Sequence, residues 1–330
     1  TDEQSVQGQA ERSQADLILP RTGLVSLHAT PDRELEPAWL PALPLPADLD
    51  DLGVVPLNLQ VEEQSLDFIF HVRMGELTIL AYVDDYAFIP FGLTRGGPSE
   101  LVDQPLLGRF DDRYPAKCEE FVLAYTDDDV VELFNPCRFD EGQDQWVPNQ
   151  CESLPCPSDM PRSLAVGAPV ARGPWAQDFN DDGHLDLIVQ VPAPASKPCS
   201  HPKCYETRVA YGVGNASFHS DPATIPDSDS EGDNGFSVAA GLLSDGAELL
   251  ALGDFDGVTG DGKRYLDAVT PWNVRLYYTG YAEDSVVALN ASEPWSEAIV
   301  ADLNGNGFAD VLAVKADARR AYFFNGTGEG

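Results

Sequence analysis

The sequence predicts an all-β chain assembled from a repeated antiparallel unit, and three observations carry that expectation. Apolar residues come in short runs, rich in β-branched and aromatic side chains and broken by Gly, Pro and Asp, with no amphipathic helical period of useful length. Four segments share one pattern: an apolar lead-in, an Asp-rich turn, a strand, a polar turn and a second strand ending in aromatics. The stretches between them are polar, Pro-rich or Cys-bearing, the texture of surface loops.

Taken in order, residues 1–53 differ from the rest. They are polar at first and then dense in proline, at positions 37, 41, 44 and 46. Proline at that density disfavours helix and central strand alike, so an extended arm is expected. Residues 54–330 are expected to form a β-propeller of four-stranded antiparallel blades. Within them, 66–83 reads as two strands about Met74 and Gly75, inside a metal-free blade at 54–105. The four repeats lie near 106–135, 175–218, 251–280 and 299–328. Their turns start unevenly, at 109, 178, 254 and 302, because inserts at 137–162, 193–204 and 227–235 lengthen individual loops. One unit repeated while its loops vary is what radially arranged blades produce.

Charge and cysteine usage narrow the setting. Of 330 residues, 55 are acidic and 20 basic, a net charge of −35 and a pI near 4.1. Such a surface repels phosphate backbones, so nucleic acid is excluded as a partner and cations are the natural counterpart. No run reaches the roughly 18 apolar residues of a membrane-spanning helix, and Thr1 opens no signal peptide, as expected of an exported chain after processing. The six cysteines, at 118, 137, 151, 156, 199 and 204, are even in number and sit in polar or Pro-rich stretches. That is the usage of loop-stapling disulfides in an oxidising compartment, hence a secreted, extracellular or cell-surface chain. Cys151 with Cys156 and Cys199 with Cys204 are the short-range pairs, leaving Cys118 with Cys137, but spacing does not select this among the alternative connectivities.

The motif that carries chemistry runs Asp178-Phe179-Asn180-Asp181-Asp182-Gly183-His184-Leu185-Asp186. Oxygen side chains stand at positions 1, 3, 5 and 9, with glycine at 6 for the sharp turn and the main-chain carbonyl of His184 at 7. Calcium takes about six to eight oxygens at about 2.3–2.6 Å, and alternate residues of a tight turn can point theirs inward. Asp302, Asn304, Asn306 and Asp310 repeat the spacing, with the Phe308 carbonyl at position 7. An EF-hand would need an acidic residue at position 12 and flanking helices. Here position 12 is Val189 or Ala313, and an apolar strand follows at once.

This loop followed by a strand resembles the FG-GAP/VCBS repeat of integrin-type propellers, over roughly residues 106–330. The resemblance implies a loop joining neighbouring strands of a blade and binding calcium for structural reasons, with ligands recognised elsewhere. The third repeat departs from the pattern. Asp254 and Asp256 are in place, but extra residues precede Asp261 and again Asp267. The first departs further, with Arg109 in the leading position and Glu120 in the closing one, and no metal is expected there.

Other motifs are weighed against plainer readings. Cys199-Ser200-His201-Pro202-Lys203-Cys204 holds three soft ligands where structural zinc takes four, so a disulfide-closed loop is the reading adopted. Asn215, Asn290 and Asn325 head glycosylation sequons. No nucleophile elbow, zincin motif or phosphate loop occurs, and carboxylate pairs carry little weight in so acidic a chain. The expected function is a non-catalytic, calcium-binding extracellular module for binding or adhesion to a protein, a glycan or other copies of itself. The alternatives are an architectural subunit using the N-terminal arm, and a carbohydrate-active enzyme resembling the propeller-type polysaccharide lyases.

Overall fold

In the computed structural model, residues 102–326 are described with internal breaks, the longest at 112–119, 149–161 and 222–232; for 17–93 and 137–148 little beyond strand backbones is described. The chain divides into two compact units, residues 1–98 with 138–160, and residues 99–137 with 161–330. The strands run in chain order as follows. β1 (Leu17–Pro20), β2 (Leu24–Ala29) and β3 (Leu35–Trp39) form a three-stranded antiparallel sheet. β4 (Asp51–Val61), β5 (Gln64–Met74), β6 (Leu77–Asp84) and β7 (Ala87–Leu93) form a four-stranded meander. The extended arm expected over 1–53 therefore contains paired strands. Proline allows this because Pro37 lies in β3, an edge strand, and Pro20 ends β1, itself an edge.

In the second unit, β8 (Leu106–Gly108), β9 (Glu120–Ala124) and β10 (Val130–Phe134) begin the first blade. The chain then crosses to the first unit for the two-stranded β11 (Cys137–Asp140) and β12 (Gln145–Pro148), and returns with β13 (Arg162–Ala165), which pairs with β10. Blade two is β14 (Arg172–Gln177), β15 (Asp186–Pro192), β16 (Tyr205–Gly212) and β17 (Phe218–His219), with β18 (Ser237–Val238) also on β16. Blade three is β19 (Ala251–Gly253), β20 (Asp267–Val269), β21 (Asn273–Tyr278) and β22 (Ala282–Ala288). Blade four is β23 (Glu297–Ala301), β24 (Asp310–Val314) and β25 (Ala321–Phe324). These four antiparallel sheets are arranged as a four-bladed β-propeller. The described residues contain no helix, and so none long and apolar enough to cross a membrane.

Blade packing explains the sequence texture. The second strand of a blade is covered on both faces, so it reads as an apolar run rather than an alternation. In β15, Leu187, Val189 and Val191 pack with Phe110, Val122 and Ala124 of blade one. Ile188, on the opposite face, packs with Leu252, Ala268 and Tyr277 of blade three. Blade three repeats the arrangement, setting Phe255 and Val269 against Val311 and Ala313 of blade four. In blade four, Ile299, Leu312 and Phe323 lie side by side in register on the face used for this purpose in the earlier blades. There Ile299 is 62% and Phe323 50% exposed. Gln190 is the buried polar exception in β15 and is fully used, donating to Thr207 Oγ1 (3.1 Å) and the Ala247 carbonyl (2.9 Å) and accepting from Leu249 N (2.8 Å).

Candidate functional site

Each Asp-rich loop joins the first and second strands of its blade: 109–119, 178–185, 254–266 and 302–309. Three of them share a turn at the fourth position. The fourth position is left-handed in every case, with φ of 60° at Asp181, 79° at Gly257 and 75° at Gly305. The leading Asp accepts the amides that this turn brings round. Asp178 takes Asp182 N (3.0 Å) and Gly183 N (2.8 Å), Asp254 takes Gly257 N (2.6 Å), and Asp302 takes Gly305 N (2.7 Å) and Asn306 N (3.1 Å). The third loop thus begins like its neighbours despite its extra residues. Its Asp254 also faces Arg264 at 3.7 Å, while Asp256 and Asp261 lie outside the described residues.

The closing acid is fully buried in all four blades, at Glu120, Asp186, Asp267 and Asp310. One of its oxygens accepts the amide of loop position 2: Phe110 N to Glu120 (2.9 Å), Phe179 N to Asp186 (2.7 Å), Phe255 N to Asp267 (2.8 Å) and Leu303 N to Asp310 (2.9 Å). In blades two to four the other oxygen accepts an amide from the third strand or just beyond it: Gly212 N (2.7 Å), Tyr277 N (2.9 Å) and Gly326 N (2.7 Å). The carboxylate ties the loop to the third strand with two charge-assisted bonds. Sequence reasoning missed this duty. It also missed two glycines whose Cβ would collide with the carbonyl just before the closing Asp, Gly212 with Leu185 and Gly326 with Ala309. The available signal was a Gly following the aromatic strand end in both repeats.

The remaining oxygens separate the second loop from the fourth. In the second, Asp182 Oδ1 accepts His184 N (2.9 Å) and Oδ2 accepts Asn180 Nδ2 (2.8 Å). Asn180 Oδ1 is buried without a hydrogen-bond donor, an orphaned acceptor. Burial, and after it the neighbouring charges of Asp182 and Asp178, push the Asp186 carboxyl up to about 7. A cation answers both the orphan oxygen and the crowded negative charge, so these residues fit calcium. In the fourth loop Asn304 Oδ1 accepts Asn306 N (2.9 Å), Asn306 Oδ1 accepts Phe308 N (2.9 Å), and Asn304 Nδ2 donates to both Asp310 oxygens (3.0 Å each). Its oxygens are satisfied from within, and the fit is poorer. Among the described residues no three His, Cys, Asp or Glu side chains are gathered closely enough to hold a metal by themselves. The second-loop set therefore depends on the neutral oxygens of Asn180 and the His184 main chain as well.

In blade one Glu120 Oε1 is buried without a partner, and the carboxyl is pushed up to about 7 by burial, with the Asp111 charge adding. Arg109, in the leading position, is exposed. Cys199 and Cys204 are joined, with Cα atoms 6.1 Å apart. Cys118, Cys151 and Cys156 lie outside the described residues, and for Cys137 only the strand backbone is described. Asn325 is exposed; Asn215 is half-buried, with its Oδ1 taken by Ser217 N at 3.0 Å; Asn290 lies outside the described residues. No protein-family model and no curated protein matches the chain.

Proposed function

We propose that this chain is an extracellular calcium-binding β-propeller of FG-GAP/VCBS type that serves as a non-catalytic binding module. The observation that carries the reading is the second loop, where the Asn180 side-chain oxygen is buried without a donor and the charges of Asp182 and Asp178 bear on the buried Asp186. Calcium bound there would offset the negative charge that Asp178 and Asp182 add to the buried Asp186 and would stiffen the turn between the first two strands of the blade. The oxidised Cys199–Cys204 pair supports export. Metal in the Asp loops would lie at one end of the blades, in keeping with a structural use of calcium. The test is thermal melting of the full chain, calcium-loaded and after EDTA. A ligand at a hundredfold its Kd adds about 2.7 kcal/mol to the folded state. The melting temperature of blade two therefore falls by several degrees on chelation, and an unchanged curve with no calcium retained after dialysis rejects the proposal.

A further inference from the structure

The end of the blades opposite the Asp loops carries a second constructed feature. Three segments meet there: the disulfide-closed turn between β15 and β16, the connection from blade two to blade three, and the tight turn between β20 and β21. With Pro294 from the connection to blade four, they line an open cleft of about 250 Å³ that presents Trp272, His201, Lys203, Glu248, Asn273 and Arg275. Trp272 is 48% exposed, an unusual state for the largest apolar side chain.

Much of the cleft's main chain and several of its polar side chains are tied down. The turn bearing Trp272 is cross-tied by Thr270, whose hydroxyl donates to Asn273 Oδ1 (2.9 Å) and accepts from Asn273 N (3.2 Å). From outside the turn, Leu289 N donates to the Trp272 carbonyl (3.2 Å) and Trp295 N to that of Pro271 (2.8 Å). Buried Gln190 clamps both sides of Glu248 through Ala247 and Leu249, and Arg172 pairs with Glu248 at 2.8 Å. Asp245 gathers His201 Nε2 (3.0 Å) and Arg275 (2.8 Å) on one oxygen. Burial alone would raise the Asp245 carboxyl, but these two hydrogen bonds hold it well below the usual carboxylate range. The turn that carries Trp272 and the side chains of Glu248, His201 and Arg275 are thus positioned before any ligand arrives, which lowers the entropic cost of binding.

From this geometry we infer that the Trp272 cleft binds a neutral saccharide, with one pyranose ring lying on the indole and its hydroxyls meeting Glu248, Asn273, His201 and Lys203. A pyranose has an apolar C–H face that suits an exposed aromatic plane. Each hydroxyl both donates and accepts, as the mixed ring of carboxylate, amide, imidazole and ammonium requires. The cleft is smaller than a drug-sized site, which matches a single sugar unit rather than a folded peptide. A neutral sugar is favoured because Arg275 and Arg172 are already matched by carboxylates and the chain carries a net charge of −35, which repels polyanionic glycans. This inference rests on the reading of the chain as a binding module, and it specifies the ligand class and the site.

The experiment is calorimetry of the full chain against maltohexaose, cellohexaose, xylohexaose, mannohexaose and chitohexaose, with polygalacturonate and decaproline as competing classes. At least one neutral hexasaccharide binds at millimolar affinity or tighter, and Trp272→Ala weakens it about tenfold or more, whereas Trp272→Phe keeps most of it. Glu248→Gln, which preserves shape, also weakens binding and guards against a folding artefact at the turn. Affinity is unchanged by EDTA, because the Asp loops lie at the other end of the blades. Binding of none of the neutral sugars, binding of polygalacturonate or decaproline alone, or sugar binding indifferent to both substitutions overturns the inference. Loss of calcium binding with sugar binding intact would instead strike the calcium reading and leave this one standing.

Discussion

Replacing Asp267 with alanine isolates the duty assigned to the closing carboxylates, because its loop carries the interrupted oxygen pattern and a lost metal is least able to mimic the effect. Asp267 is fully buried and accepts Phe255 N at 2.8 Å and Tyr277 N at 2.9 Å. Alanine leaves both amides buried without that acceptor. Each orphaned group costs about 1–3 kcal/mol, so the pair costs about 2–6 kcal/mol. Asparagine keeps one acceptor oxygen but turns its amino group toward the other amide, so it recovers about half at most. A chain of two units is not expected to unfold in one transition. The informative assay is therefore amide exchange at Phe255 and Tyr277. Both amides exchange about thirtyfold faster or more in Asp267→Ala, less so in Asp267→Asn, and equally with or without EDTA. Exchange within twofold of the parent, or an effect seen only with calcium present, would refute the staple.

Three further outcomes follow from the same geometry. The Glu120 carboxyl, pushed up to about 7 from 4.5 chiefly by burial, binds its proton more tightly folded than unfolded. Its contribution is complete below pH 4.5 and is lost as pH rises through 7, so the parent loses up to roughly 3 kcal/mol across that window relative to Glu120→Gln in paired urea titrations; parallel pH profiles would contradict this. Gly212→Ala and Gly326→Ala drive a Cβ into a main-chain carbonyl and cost roughly 1–3 kcal/mol each, whereas Gly183→Ala meets open space and costs about 1 kcal/mol for its positive φ alone; the ranking is read from melting curves. Replacing Cys199 and Cys204 with serine frees a loop too short for a large entropic gain, so proteolysis within 193–204 rises while amide protection in β15 and β16 holds.

The parts visible in the sequence were those that repeat. Oxygen side chains at loop positions 1, 3, 5 and 9 with glycine at 6, before an apolar strand, recur in the second and fourth repeats, and the resemblance they carry implies a loop between neighbouring strands of a blade, as found at 178–185 and 302–309. The two-sided apolar runs such as Leu187 to Val191 followed from strands packed between neighbours. What escaped notice was the partner of each signal. Nothing local to Asp186 reveals that Gly212, 26 residues on, donates to it, because that contact depends on how far the insert in the β15–β16 connection reaches. A second role for the closing acid was hidden for the same reason, since spacing shows which oxygens are near but not which amides already occupy them. In 1–53, proline density outweighed the apolar runs that form β1 to β3, because an edge strand tolerates proline and a sequence does not mark which strand is the edge. Trp272 carries no signal of its own in the sequence, because its exposure beside the disulfide loop depends on how segments distant along the chain meet.

Calcium titration of the EDTA-stripped full chain by calorimetry, beside Asp182→Ala and Asp302→Ala, tests the central claim most directly. Asp182 and Asp302 are exposed loop positions rather than buried staples, so both variants keep the fold. The parent is expected to show its tightest site in the second loop, abolished by Asp182→Ala. Asp302→Ala removes only a weaker event, because the fourth loop offers two carboxylates against three and satisfies its Asn oxygens internally. A parent chain that takes up no calcium, or one whose titration is the same after Asp182→Ala, would contradict the account.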